Sequence, residues 1–183
     1  DDSKIYAPMA NLYLKSYIEK ELPWIKVTLG DDSYMLEEPM LFEDYDAIGI
    51  SIMTPQREEA SKILHTIKEE YPDKVVIAGG PHVKHYLSDI IKANEPYDYL
   101  VPLDGERALV KILQGNADRI VSDIMSKKDI LEQPRPDRTS ENAIEVIKRY
   151  HYTLGGKEST TMMTARGCPE HCKFCEDAMT PVK

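Results

Sequence analysis

The stretch from Ala47 to Gly80 limits the fold more than any other part of the chain. Ala47-Ile48-Gly49-Ile50-Ser51-Ile52 is a short apolar run of the kind that forms a strand covered on both faces. Thr54-Pro55 follows and reads as an N-cap with proline in the first helical position. Ala60, Ile63, Leu64, Ile67 and Tyr71 then recur at helical spacing, while Arg57, Glu58, Glu59, Lys68 and Glu69 fall mostly on the other face. Pro72-Asp73 stops that helix, and Val75-Val76-Ile77-Ala78 begins a second buried strand. Strand, amphipathic helix and strand in this order make a βαβ unit, which demands a parallel sheet with helices against its faces.

The rest of the chain extends the alternation. Leu12, Tyr13, Leu14, Tyr17, Ile18 and Leu22 predict a helix stopped by Pro23, and "WIKVTLG" (24–30) predicts a strand. Gly79-Gly80-Pro81-His82 predicts a turn, followed by a helix over about 84–93 and a strand over about 98–101. A helix is expected from Gly105-Glu106 to near Gly115, and "RIVSDI" (119–124) reads as a last strand. The text then changes to "SKKDILEQPRPDRTS", polar with two prolines and no apolar period, which predicts a linker over 126–140. Beyond it, "ENAIEVIKRYHYTL" is open between helix and strand, and "STTMMTAR" has the composition of a strand. The organisation expected is an α/β domain over 1–125, the linker, and a second segment over 141–183.

Composition narrows the function classes. The 183 residues are 42% hydrophobic and 30% charged, which is globular and enough for one good core. A net charge of −9 with scattered Lys and Arg offers no basic stripe for a nucleic-acid backbone. No run of 18 apolar residues and no signal-peptide pattern is present, so no membrane role and a cytoplasmic location are expected. The Met and aromatic residues Met9, Tyr13, Tyr17 and Trp24 read as packing.

All three cysteines lie in "TARGCPEHCKFC", as Cys168-x3-Cys172-x2-Cys175. An odd, clustered set is no disulfide framework, and a reducing compartment keeps such thiols free for a metal or cluster. A closed zinc or ordinary iron-sulfur site takes four protein ligands. With three, a cubane would keep one iron open to a small ligand. A zinc knuckle using His171 as fourth ligand is the alternative, although adjacent His171 and Cys172 chelate one tetrahedral ion poorly.

The loop "GCPEHCKFC", with Phe174 just before its last cysteine, resembles the cluster loop of radical S-adenosylmethionine (SAM) enzymes. The resemblance implies that Cys168, Cys172 and Cys175 hold a [4Fe-4S] cluster and that SAM binds the open iron, with Phe174 along its adenine side. It further implies reductive cleavage of SAM to a 5′-deoxyadenosyl radical, with the electron from a donor such as flavodoxin or ferredoxin. The amino-terminal part resembles the cobalamin-binding domain that precedes the barrel in one class of these enzymes, through Ser51-Ile52-Met53, Gly79-Gly80-Pro81-His82, Asp104-Gly105-Glu106 and the linker Pro134–Arg138. That implies a flavodoxin-like (Rossmann-type) doubly wound parallel sheet, a linker and the start of a radical SAM (β/α) barrel. Cobalamin would sit outside the carboxyl ends of the strands, near Ser51, Met53, Thr54, Gly79, Gly80 and Pro81. No histidine has the Asp-x-His-x-x-Gly context of that family's cobalt ligand, so cobalamin is expected without a protein histidine on the metal.

Two departures shape the expectation. The opening "DDSKIYAPMANLYLKSYIEKEL" stands where the family has an apolar strand, and a full barrel takes roughly 250 residues. The segment therefore reads as an enzyme, or a fragment of one, carrying only the start of its catalytic barrel, and no catalytic residue is assigned. Two other classes stand beside that reading: a ligand- or partner-binding module with a remnant cysteine loop, and a small zinc-binding protein. For Ser51, Gly79 and Gly80 taken singly, the plain alternative is a strand end and a strand-to-helix turn.

Overall fold

The computed structural model describes residues 6–30, 42–150 and 152–175. Residue 151 and residues 176–183 of the expected second segment thus lie outside the described residues, as do 1–5 and 31–41 of the expected α/β domain. The chain forms two compact units, one of residues 18–124 and the other of 125–175 with the residues before 18.

The larger unit is built on the predicted βαβ pattern. Strand β1 (Ala47–Ser51) leads through a 3-10 turn (Thr54–Gln56) into a helix (Arg57–Glu70), here α2 because a helix α1 (Met9–Glu21) precedes it. Strand β2 (Val75–Gly79), helix α3 (Pro81–Lys92), strand β3 (Tyr99–Val101) and helix α4 (Gly105–Leu113) follow. The three strands are parallel in the order β1-β2-β3, with Ala47 opposite Val75 and Ile77 opposite Tyr99. This is a flavodoxin-like α/β sheet with helices on both faces.

Alternation along the strands decides which helix each face receives. Ile48, Val76, Ala78 and Leu100 pack with Ala60, Ile63, Leu64 and Ile67 of α2 and with Val83 and Ile90 of α3. Ile77 and Val101 point the other way and meet Ala108 and Ile112 of α4, with Val121. The amino-terminal ends of the strands are tied by side chains. Lys68 bridges Asp98 Oδ2 at 2.7 Å and the Lys74 carbonyl at 2.8 Å, and the same Asp98 oxygen accepts from Val76 N at 2.6 Å.

Several local expectations are corrected. Residues 24–30 form no strand: Ile25 N closes a turn onto Leu22 O, and Val27 N donates to the Glu19 carboxylate at 2.9 Å, so this backbone finds partners outside any ladder. Residues 119–124 make a single parallel bridge, Ile120 to Leu100, instead of a strand. Thr54 does not cap α2. Gln56 stands at its cap position without a side-chain cap bond, and Met53 caps the 3-10 turn instead, its N–H reaching Gln56 Oε1 at 3.4 Å, with Pro55 inside that turn. Helix α3 begins at Pro81, three residues earlier than expected, because proline at its first position needs no N–H partner.

In the smaller unit the expected linker is structured. Ser126 and Asp129 cap each other's backbone N–H (3.2 and 2.7 Å) and open a short helix α5 (Lys127–Glu132). Asp137 forms an ion pair with buried Lys15 at 3.8 Å and accepts from the N–H groups of Thr139 and Ser140, both at 3.0 Å. Burial alone would raise the Asp137 carboxyl, but the Ser140 and Thr139 hydrogen bonds and Lys15 hold it below its ordinary value. Arg138 donates to Thr160 Oγ1 at 2.6 Å and to the Thr161 carbonyl. The ambiguous stretch after Ser140 is a helix, α6 (Glu141–Lys148), followed by a hairpin of β4 (Thr153–Leu154) and β5 (Lys157–Glu158). Gly155 and Gly156 turn that hairpin with φ of 59° and 73°. "STTMMTAR" pairs with no strand, so no barrel strand is present among the described residues. No helix among them is long and apolar enough to cross a membrane.

Candidate functional site

Parallel strands end on one edge of their sheet, and there the larger unit gathers most of its sequence-predicted residues. Ser51 closes β1 and Gly79 closes β2, and the two are paired directly in register. Ile52 N donates to Gly79 O at 2.9 Å, and Ile52 O accepts from His82 N at 3.0 Å, so the start of α3 is pinned to the end of β1. Ser51, Met53 and Pro81 are exposed, while Thr54, Gly79 and Gly80 are half-buried.

The glycines serve the protein's own backbone. A Cβ on Gly80 would lie 2.8 Å from Ile52 N and 2.9 Å from Ile52 O, and one on Gly79 would lie 3.3 Å from Val101 O. Gly80 also has φ +91° and ψ 179°, a region that is essentially glycine's alone. Their absence of side chains therefore lets β1, β2, β3 and α3 close together, which is the strand-to-helix packing role.

His82 is the side chain here that sequence reasoning quoted but did not assign. Its ring stacks on Tyr86 at 5.0 Å between centroids and 29° between planes. Its Nδ1 is shielded from solvent and has no hydrogen-bond partner. Such an atom costs about 1–3 kcal/mol while it stays unpaired. Burial first, and then the neighbouring Arg57 charge, lower the imidazole below its ordinary value, which favours the neutral ring. Arg57 itself is engaged, donating to Thr54 O at 3.3 Å and Glu58 at 3.1 Å.

A second polar cluster was invisible in the sequence because its members are spread over seventeen positions. Buried Asp123 accepts from Arg107 Nε at 2.9 Å, from Arg107 Nη2, and from Lys111 Nζ at 2.7 Å. Arg107 also donates to Ile124 O at 2.8 Å, and Asp104 N donates to Asp123 O at 3.0 Å. Glu106, in the first turn of α4, is 2% exposed. The Asp104-Gly105-Glu106 segment is thus locked beside the last extended stretch of the unit.

The cysteine loop lies in the other unit. Gly167 turns the chain with φ +90°, Cys168 is half-buried, and Cys172 and Cys175 are exposed, with Cys175 N donating to Cys172 O at 3.0 Å. Phe174 is 92% exposed. Arg166 lies over the Tyr13 ring at 5.7 Å. The donor set has the chemistry of an iron-sulfur loop, three thiols on eight residues. Its geometry is unassembled: among the described residues no three His, Cys, Asp or Glu side chains converge on one metal position. At the strand ends, by contrast, Ser51, Met53 and Pro81 are exposed beside an imidazole nitrogen that lacks a partner.

Comparison with known proteins bears on both parts. Residues 34–113 match the family of B12 binding domains. The chain is 26% identical over 141 residues to an anaerobic magnesium-protoporphyrin IX monomethyl ester cyclase of Synechocystis sp., covering 70% of this chain and 28% of that protein. It is 26% identical over 200 residues to a 2-(S-pantetheinyl)-carbapenam-3-carboxylate methyltransferase of Streptantibioticus cattleyicolor, covering 93% of this chain and 28% of that protein. The chain thus spans little more than a quarter of the length of these curated relatives. Among solved structures, the N-terminal domain of a hypothetical protein of Thermotoga maritima aligns with a TM-score of 0.47 at 22% identity, over 61% of this chain and 87% of that one.

Proposed function

We propose that this chain binds cobalamin at the carboxyl ends of β1 and β2 and belongs to an enzyme of the radical SAM type, with Cys168, Cys172 and Cys175 as ligands of a [4Fe-4S] cluster. One observation carries the reading. A parallel α/β unit whose residues 34–113 match B12 binding domains is followed in the same chain by Cys-x3-Cys-x2-Cys with an aromatic before the last cysteine. Open α/β sheets take their ligands outside the carboxyl ends of their strands, where Ser51, Met53, Thr54, Gly79, Gly80 and Pro81 lie. The printed names of the relatives, a cyclase and a methyltransferase, support methyl transfer or cyclisation as the reaction class.

Bound in the loop, the cluster supplies the electron for reductive cleavage of SAM. The part left to the chain is to present three thiolates, to offer Phe174 as a flat surface for the adenine, and to accept an electron donor such as flavodoxin or ferredoxin. The exposure of Cys172, Cys175 and Phe174 leaves them accessible to all three.

Two measurements test this. Titration with hydroxocobalamin is expected to give a saturable change in the corrinoid absorbance. No spectral change at high micromolar ligand would end the cobalamin half of the reading. Anaerobic reconstitution with iron and sulfide is expected to load about four irons per chain, with loss of all of them when Cys168, Cys172 or Cys175 is replaced by alanine. One zinc per chain and no sulfide would overturn the cluster half in favour of a zinc-binding loop.

A further inference from the structure

Buried polar atoms without a partner are uncommon in native proteins, and each asks for a reason. Among the described residues there are two on side chains, Thr161 Oγ1 and His82 Nδ1, and the second stands at the strand ends. The surrounding polar groups are satisfied by one another: Arg57 by Thr54 and Glu58, and His82's own N–H by Ile52 O. Only the imidazole nitrogen is left over in that group.

Its position is fixed from two sides. Gly80 brings the start of α3 onto Ile52, and the Ile52 carbonyl holds the His82 backbone in place. The ring stacked on it is less firmly held. Tyr86, one turn along, is 41% exposed and kinks the helix with φ −119° and ψ 24°. The ring stacked on His82 is therefore carried by a half-exposed residue outside helical geometry.

We infer, on the reading that this edge takes cobalamin, that His82 Nδ1 accepts a hydrogen bond from an N–H or O–H group of the bound corrinoid, with the Tyr86 ring displaced. A neutral imidazole carrying its proton on Nε2 has a lone pair on Nδ1 and accepts there. Cobalamin offers two sources of such a donor, the carboxamides around the corrin ring and the ribose hydroxyl of the nucleotide tail. His82 thereby becomes a specificity residue for the corrinoid without ligating cobalt.

The test is a set of absorbance titrations of the full chain with hydroxocobalamin and, separately, with aquocobinamide, which lacks the nucleotide tail. His82→Ala should weaken hydroxocobalamin binding by about five- to tenfold, the value of one hydrogen bond. His82→Asn, whose amide oxygen falls near the place of Nδ1, should bind within about twofold of the parent, less than the loss of one hydrogen bond. If cobinamide binding falls in parallel, the donor is a ring carboxamide; if it does not, the donor is in the tail. Because His82→Ala and His82→Asn both lose the ring stacked on Tyr86, their ligand-free melting temperatures should fall together while only His82→Ala loses affinity. Unchanged binding of both corrinoids to His82→Ala overturns the inference while leaving the cobalamin reading intact. Failure of the parent protein itself to bind overturns both.

Discussion

Replacing Gly80 with alanine is expected to lower the stability of the α/β unit by about 3 kcal/mol, the upper end for one residue forced into a glycine-only conformation. Two independent effects point the same way. At φ +91° and ψ 179° a side chain is strained whatever surrounds it, and the new Cβ would meet Ile52 N at 2.8 Å and Ile52 O at 2.9 Å. Those two atoms already bond Gly79 O and His82 N, so relief would have to break the link between β1 and α3. In a thermal melt the change should appear as a drop of about 10 °C or more for a unit of this size. Gly49→Ala is the control. Nothing lies within 4 Å of its Cβ position, and its melt should stay close to the parent's. Equal melts for the two variants would show that the close approach at Gly80 does not hold the unit together.

Asp123→Ala should cost a similar amount, about 3 kcal/mol, at the low end for breaking a buried ion pair because both cationic partners reach solvent. Asp123 is 7% exposed and is the shared acceptor of Arg107 and Lys111, so its loss frees two donors and loosens α4 from residue 123. The loss should depend on pH. Burial alone pushes the Asp123 carboxyl up, but hydrogen bonds from Lys111 and Arg107 outweigh it and hold the group below its ordinary value. A carboxylate whose folded value is depressed stabilises fully above its unfolded value near pH 4, and that contribution is lost as the pH falls through the folded value. Denaturant melts of parent and variant should therefore differ most at pH 7 and converge toward pH 3. A gap that stays constant over that range would mean that Asp123 acts by packing rather than by charge.

How much of this was legible in the sequence follows from which interactions are local. The β1-α2-β2 unit was readable because Ala60, Ile63, Leu64 and Ile67 obey helical spacing and the flanking runs are too apolar to be anything but covered strands. Residues 24–30 satisfied the strand pattern equally well, with Ile25, Val27 and Leu29 less exposed than Lys26 and Thr28, yet made no ladder. A strand needs a neighbour as well as a pattern, and Glu19 takes the Val27 N–H instead. Helix α5 was missed although Ser126 and Asp129 stood at capping-box spacing, because six residues with no apolar period give no other signal. At the site, the strand-end residues could be named from their text, since parallel strands place their ends together. His82's unpaired nitrogen and the Arg107–Lys111–Asp123 cluster depend on which atoms meet across the fold, and no spacing announces them. The cysteine motif was the reverse case, plain as text and unassembled as geometry.

The sheet's two ends are made differently, and that has a consequence for how such a chain can be altered. At the amino-terminal end, Asp98 gathers Lys68 and Val76 into one knot, so substitutions there loosen three elements at once. At the other end, Ser51, Met53 and Pro81 are exposed. New side chains at Ser51 and Met53 can be tried with less cost to folding than at Pro81, which opens α3, or at the Asp98 knot. A library restricted to Ser51 and Met53, on an unchanged Asp98 knot, Gly80 and Pro81, would sample ligand preference with few variants lost to instability.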